Sequence, residues 1–287
     1  MDNILITGCG GMLGKAAYEV LSKRYNVTAT DIDINVQWLS WLDVRDIESW
    51  ERYFCDRPFT KIFHLAAFTD LEYCEANPDE TWRTNALGAE NAAIMAKKYG
   101  CDLIYISTAG IFTGDGVYND FDDPTPESIY GRSKYYGEKI AQTVPVHYVF
   151  RAGWMMGGGD KDKKFVSLIL DQINKGADTI YAVTDKLGTP TYTYDFIENM
   201  IRVIDAGYIG VYNQVCGGDC SRYDVAKAIV EILGEDIKVV PVTSDHFKEY
   251  TAPRPHSERL VNLKLNSYGL NNMRHWRVCL HEYLKEY

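Results

Sequence analysis

Long hydrophobic runs are missing from this sequence: no apolar stretch reaches the about 18 residues that a membrane-crossing helix requires. A basic leader followed by a hydrophobic segment is missing too, since Met1, Asp2 and Asn3 pass straight into an apolar strand. A soluble, cytoplasmic protein is therefore expected. Close cysteine pairing is scarce. The seven cysteines, at positions 9, 55, 74, 101, 216, 220 and 279, are scattered and odd in number, which argues for reduced thiols over a disulfide framework. Cys216 and Cys220 come nearest to a metal-ligand pair, but no second pair and no nearby histidines accompany them, so no metal site is expected. Positive charge is in deficit. The net charge of −10 disfavours nucleic acid and anionic membranes as partners, although local arginines and backbone amides can still hold an anionic small ligand.

At 287 residues, 46% of them apolar, the chain can build a sizeable core, in one large domain or in two that share it. It opens with an apolar strand, a turn containing Gly8, Gly11 and Gly14, and a helical pattern. Glycines so placed permit a tight turn and let a pyrophosphate approach the amides of Met12 and Leu13 at the helix N-terminus. A purely structural turn is the competing reading of the glycines alone. Asp31 decides between them: it ends a second strand about 20 residues downstream, where an acid accepts the ribose hydroxyls of a dinucleotide and repels a 2′-phosphate. Ile32, Asp33 and Ile34 follow, with no basic residue among them, which favours NAD(H) as cofactor and leaves NADP(H) as the second choice.

Asp43, followed by Val44, is placed at a further strand end where it can meet an adenine amino group, while Asp46 reads as a helix N-cap. The strand at 61–67 runs through Leu65 into Ala66 and Ala67, small enough for a cofactor to pass close to the backbone. His64 within it has no local acid or nucleophile and reads as a core histidine. Helical residues 78–98 carry Asn85, and the strand at 102–107 delivers Thr108 to its carboxyl end, where ligands of open α/β sheets sit. Tyr130 and Lys134 are four apart, one turn of a helix on the same face. A fixed ammonium beside a phenol, whose reference pKa is about 10, favours the phenolate and brings proton transfer to a carbonyl oxygen within range.

The alternation of strands and helices predicts an α/β protein with a doubly wound parallel Rossmann sheet. After Arg151 the character changes. Residues 153–159 read as flexible, and the charged run 160–164 reads as a solvated loop, marking the crossing into a smaller, discontinuous lobe. The expected division is 1–153 and about 184–210 for the cofactor domain, with about 154–183 and 211–287 for the substrate lobe. Within that lobe, 179–183 and 211–215 read as strands, and Ser221 with Asp224 as a capping box opening a helix.

The glycine trio, Asp31, residues 66–69, residues 85–91, Ser107, Thr108, Tyr130 and Lys134 resemble the extended short-chain dehydrogenase/reductases. Residues 151–154, 185–193 and 252–260 resemble, within that superfamily, the dTDP-4-dehydrorhamnose reductase family. The resemblance implies NAD(P)H-dependent reduction of the 4-keto group of a nucleotide-linked deoxysugar, in deoxysugar or polysaccharide synthesis. It implies that Tyr130 protonates the developing alkoxide, Lys134 holds the nicotinamide ribose, and Thr108 bonds the substrate oxygen. Thr69, Trp154 and Arg254 are implied at the nucleotide sugar, Trp154 offering a flat face to the deoxyhexose; a core tryptophan at the lobe junction is its other reading. The resemblance also implies a homodimer. One departure stands out: the family carries Asp-Tyr after the threonine, whereas this chain has Ala109 and Gly110. That leaves the sugar open and argues against a 4,6-dehydratase. A nucleotide-sugar epimerase and a non-catalytic dinucleotide-binding regulatory subunit stay as alternatives.

Overall fold

The computed structural model describes residues 1–55 and 57–287. In chain order come β1 (Asn3–Thr7), α1 (Met12–Leu21), β2 (Asn26–Asp31), β3 (Ser40–Trp41), α2 (Ile47–Phe54) and β4 (Lys61–His64). α3 (Leu71–Ala76) and α4 (Pro78–Thr81) lead through a π-helical turn, Trp82–Leu87, into α5 (Gly88–Tyr99). β5 (Asp102–Thr108), β6 (Val117–Tyr118), α6 (Ile129–Ala141) and β7 (His147–Ala152) follow. Then come β8 (Trp154–Met156), α7 (Phe165–Asn174), β9 (Thr179–Val183), β10 (Leu187–Gly188), β11 (Pro190–Tyr192) and α8 (Thr193–Asp205). The chain continues with β12 (Gly210–Asn213), β13 (Cys220–Ser221), α9 (Arg222–Leu233), β14 (Lys238–Val242), β15 (Ser257–Leu260), α10 (Leu263–Ser267) and α11 (Trp276–Tyr283).

Seven strands form one parallel sheet in the order β12-β7-β5-β4-β1-β2-β3. Its strands are apolar on both faces because helices cover both. Ile4, Ile6, Phe63, Ile104 and Phe150 face α1 and α8, while Leu5, Ile62, Leu103, Tyr105 and Val149 face α2 and α5. The direction of strand order reverses between β1 and β4, so a crevice opens beyond the carboxyl ends of these strands. The remaining strands form a four-stranded sheet, β13-β10-β15-β6, and the parallel pairs β8 with β11 and β9 with β14. Among the described residues no helix is long and apolar enough to cross a membrane.

Three expectations need correcting. Residues 210–213 are the edge strand of the main sheet, paired with β7 and stacking Tyr212 on Phe150, although the second lobe was expected to open at 211. A strand's own side-chain pattern does not name its partner. The glycine-rich stretch 153–159 is not a free hinge: β8 pairs with β11, and Gly158, at φ 87°, lies so close to α1 that a Cβ there would be 2.8 Å from Met12 Cγ. The charged run is not a solvated loop throughout. Asp162 is buried and accepts a hydrogen bond from the Tyr283 hydroxyl at 2.9 Å. The capping box of α9 forms as expected, with Ser221 Oγ accepting from Asp224 N and Asp224 Oδ2 accepting from Ser221 N.

One buried ion pair ties the sheet to its helices. Arg151 on β7 donates to Glu138 on α6 through NH2 at 2.6 Å and Nε at 3.1 Å, and Ser107 on β5 donates to the same carboxylate at 2.7 Å. Arg151 and Glu138 are 5% and 0% exposed, so neither charge has water to fall back on. Arg151→Met would strand the carboxylate and should lower stability by about 3–5 kcal/mol, read from urea unfolding. A loss within experimental scatter would refute the interlock.

Candidate active site

The site grows from the turn after β1. Gly8, at φ 70°, lies against the chain leaving β4: a Cβ there would sit 2.4 Å from Ala66 N. Leu65, Ala66 and Ala67, half-buried, line the turn, and Leu65 N donates to Thr7 O at 3.1 Å. A Cβ on Gly14 would sit 2.3 Å from Cys9 O, so α1 rests directly on the turn. Gly11 is the N-cap of α1 and offers no side chain, which leaves the first helical amides, at Met12 and Leu13, without partners inside the helix. Unpartnered amides at a helix N-terminus, with backbone packed to glycine distance beside them, fit the diphosphate of a dinucleotide.

Asp31 belongs to this turn as the sequence implied. Its Oδ2 accepts from Gly10 N at 2.9 Å and its Oδ1 from Asp33 N at 3.0 Å. Asp43 differs from expectation. Both its oxygens engage Arg45, whose Nε lies 2.9 and 3.1 Å away and whose NH2 lies 2.8 Å away, and this guanidinium holds the carboxyl below its usual range. The Val44 carbonyl accepts from Trp50 Nε1 and Asn91 Nδ2. Asp46 caps α2, accepting from Glu48 N. His64 is the core histidine expected: burial holds its pKa near 3, and Nδ1 lies 2.8 Å from the Thr7 hydroxyl.

Thr108 ends β5, and Tyr130 and Lys134 lie one turn apart on α6, which packs against that strand. Ser128 caps the helix by accepting from Gly131 N at 3.0 Å. Asn85, in the π-helical turn, bonds both the N–H and the carbonyl of Phe68 and donates to Ser133 Oγ, which in turn donates to Tyr130 O. Thus the loop after β4 and the Tyr130 turn share one hub. Lys134 is buried with Nζ 4.2 Å from the centre of the Tyr105 ring. Burial brings its pKa down to about 7, partly opposed by the Glu138 charge. Burial pushes Tyr130 up to about 12, with the Thr108 hydroxyl opposing the shift and the charges of Glu258 and Cys74 adding to it. The expected pull of Lys134 on the phenol is therefore not what governs the ligand-free protein. Loss of solvent outweighs it and keeps Tyr130 a protonated donor.

Trp154 is 8% exposed and closed on several sides. Its Nε1 donates to Glu258 Oε2 at 2.6 Å, the Arg222 guanidinium lies 3.6 Å from its ring centre, and a Cβ on Gly188 would fall 2.3 Å from Cε2. The flat face expected to meet a sugar is thus covered by a guanidinium. Thr69 accepts the Lys164 ammonium on its hydroxyl at 2.9 Å and its carbonyl at 3.1 Å. Arg254 pairs with Glu72 of α3 at 2.6 Å, and Glu72 also takes the amides of Thr251 and Ala252, which lock the loop before β15 onto the cofactor side. Arg222 is not marked in the sequence, while Glu258 lies in the stretch 252–260 and Lys164 in the charged run without a role of its own. Arg222 stands at an ordinary helix start, and no local pattern marks any of them as facing a cleft.

Because Lys134's folded pKa lies below its ordinary 10.5, the unfolded chain holds the extra proton between about 7 and 10.5. Its contribution to stability should accordingly rise with pH across that window and stay flat below it. Heteronuclear NMR of Lys134 Nζ in the ligand-free protein should give a midpoint near 7, and a midpoint at the ordinary value would contradict burial as the cause.

The RmlD substrate binding domain family model matches residues 1–287. The spore coat polysaccharide biosynthesis protein SpsK of Bacillus subtilis (strain 168) is 31% identical over 291 residues, covering 100% of this chain and 98% of that protein. A dTDP-4-dehydrorhamnose reductase of Mycolicibacterium smegmatis is 32% identical over 288 residues, covering 98% of this chain and 84% of the relative. The crystal structure of dTDP-4-dehydrorhamnose reductase from Bacillus anthracis in complex with NADP superposes with a TM-score of 0.92, at 29% identity, over 100% of this chain and 99% of that one.

Proposed function

The chain belongs to the RmlD substrate binding domain family, within the extended short-chain dehydrogenase/reductases, and on that premise we propose that it reduces the 4-keto group of a nucleotide-linked 6-deoxysugar. It is a nucleotide-sugar oxidoreductase that takes a nicotinamide dinucleotide as cofactor, serving deoxysugar or polysaccharide synthesis. The observation that carries this reading is that Thr108 ends β5 while Tyr130 and Lys134 lie one turn apart on α6, packed against that strand.

The fit to the cofactor rests on the glycine turn and the free amides of Met12 and Leu13, with Leu65, Ala66 and Ala67 as its inner wall. A bound reduced nicotinamide supplies the hydride to the carbonyl carbon. Tyr130, kept protonated by burial, gives its proton to the oxygen as negative charge develops there. Thr108 donates a hydrogen bond to the same oxygen and fixes its distance from the phenol. Lys134, in its ammonium form, favours the phenolate left on Tyr130 after the transfer and bonds the nicotinamide ribose. Asp31 favours NADH, since its carboxylate on the turn would repel a 2′-phosphate. The smaller strands supply the sugar side, with 154–183 and the chain after β12 as the substrate lobe. Thr69 and Arg254, held by Lys164 and Glu72, border it. Trp154 contributes by carrying Arg222 and Glu258.

NADH oxidation with dTDP-, UDP-, GDP- and CDP-linked 4-keto-6-deoxysugars should show turnover with at least one, and silence across the panel would refute the reductase reading. Tyr130→Phe should lower kcat about a hundredfold or more while leaving NADH affinity within a few-fold, the scale of a positioned acid. Asp31→Ala should weaken NADH and improve relative use of NADPH in steady-state kinetics. An unchanged preference would remove Asp31 from cofactor selection.

A further inference from the structure

Ala109 and Gly110 leave the ground beside Thr108 and Tyr130 without polar side chains, and a carboxylate from far along the chain lies beside it. A Cβ placed on Gly110 would lie 3.5 Å from Thr108 Oγ1, 3.6 Å from Tyr130 Cε1 and 3.6 Å from Glu258 Oε1. Three groups from three elements therefore surround one point. Glu258 is held there by its other oxygen, since Oε2 accepts from Trp154 Nε1 at 2.6 Å. Among the described residues no donor lies within hydrogen-bonding distance of Oε1. Carboxylate oxygens accept strongly, and one turned into a cleft without a donor is suited to a ligand donor.

Arg222 completes the arrangement. Its guanidinium stacks on Trp154 at 3.6 Å and lies 4.9 Å from the centre of the Phe165 ring. It makes no ion pair with any described residue, although Glu258 is its principal favourable charge neighbour. The cation and the aromatic plate keep a negative carboxylate tolerable beside a phenol that must stay protonated.

We propose that Glu258 is a specificity-determining residue for the sugar, its Oε1 accepting a hydrogen bond from a hydroxyl or amino group on the carbon next to the reacting carbonyl. This rests on the reductase reading above. In a 4-keto-6-deoxyhexopyranose one neighbouring carbon, C5, carries the ring oxygen and the methyl group, so the donor sits on C3. The oxygens of a ketone and its C3 substituent are neighbours in space, and Thr108 Oγ1 and Glu258 Oε1 flank one point closely enough to hold both. Glu258 thereby performs from β15 a recognition task for which Ala109 and Gly110 offer no polar group.

The test compares wild type, Glu258→Gln and Glu258→Ala on dTDP-linked 4-keto-6-deoxyglucose and on its 3-deoxy and 3-amino counterparts, or on the same set with whichever nucleotide the panel selects. Wild type should prefer a C3 donor over the 3-deoxy sugar by about tenfold to a hundredfold in kcat/KM, the worth of a hydrogen bond to a charged group. Both variants should lose that preference, their ratios falling towards one, while calorimetry shows NADH binding and hence an intact fold. The 3-hydroxy and 3-amino arms identify which donor the site takes. Equal losses on all three sugars, with the wild-type ratio preserved, would show that Glu258 only steadies Trp154 and would overturn the assignment alone. A wild type silent on every sugar would overturn the reductase reading and this assignment with it.

Discussion

The reaction geometry depends on a charge that water cannot reach. Glu138, on the buried face of α6, is held by Arg151 from β7 and by Ser107 from β5. Ser107 precedes Thr108, and Glu138 lies one helical turn beyond Lys134, so this one carboxylate sets how the strand end and the helix face meet. Replacing such a pair by apolar residues can be neutral for stability, which makes registry the more telling role here. The same charge also moderates the loss of basicity that burial imposes on Lys134.

Around that interlock the cleft is assembled from segments distant in sequence. Asn85 binds the loop after β4 to the Tyr130 turn, Lys164 reaches Thr69 from the loop before α7, and Glu72 clasps residues 251–254. Glu258 is held beside Gly110 by Trp154. Desolvation acts on the two titrating groups in opposite senses, raising the phenol and lowering the ammonium. Burial favours the neutral form of each group, the phenol and the amine, because an enclosed charge loses solvent.

Much of this was readable along the chain. The glycine turn, Asp31 on the second strand, the capping box at Ser221 and the four-residue spacing of Tyr130 and Lys134 are local patterns, and each appears where the pattern put it. Where reading failed, the deciding partner was remote. Asp43, placed by the sequence where it can reach an adenine amino group, is paired with Arg45. Trp154 was expected to show its face, yet Arg222, many residues downstream, covers it. The charged run at 160–164 reads as solvent-exposed, but Tyr283 near the C-terminus buries Asp162.

The sequence by itself determined the local elements: strands from short runs rich in apolar and β-branched residues, a tight glycine turn before the first helix, and Tyr130 and Lys134 on one helix face from their four-residue spacing. Those are properties of neighbours within a turn or a strand, where backbone sterics and side-chain periodicity act without reference to the rest of the chain. Only the tertiary structure decided that β12 closes the main sheet, that Lys134 and Tyr130 are shifted by burial, and that Glu258 and Arg222 meet at Trp154. Desolvation and long-range pairing depend on which surfaces meet, and that is set by packing rather than by local pattern.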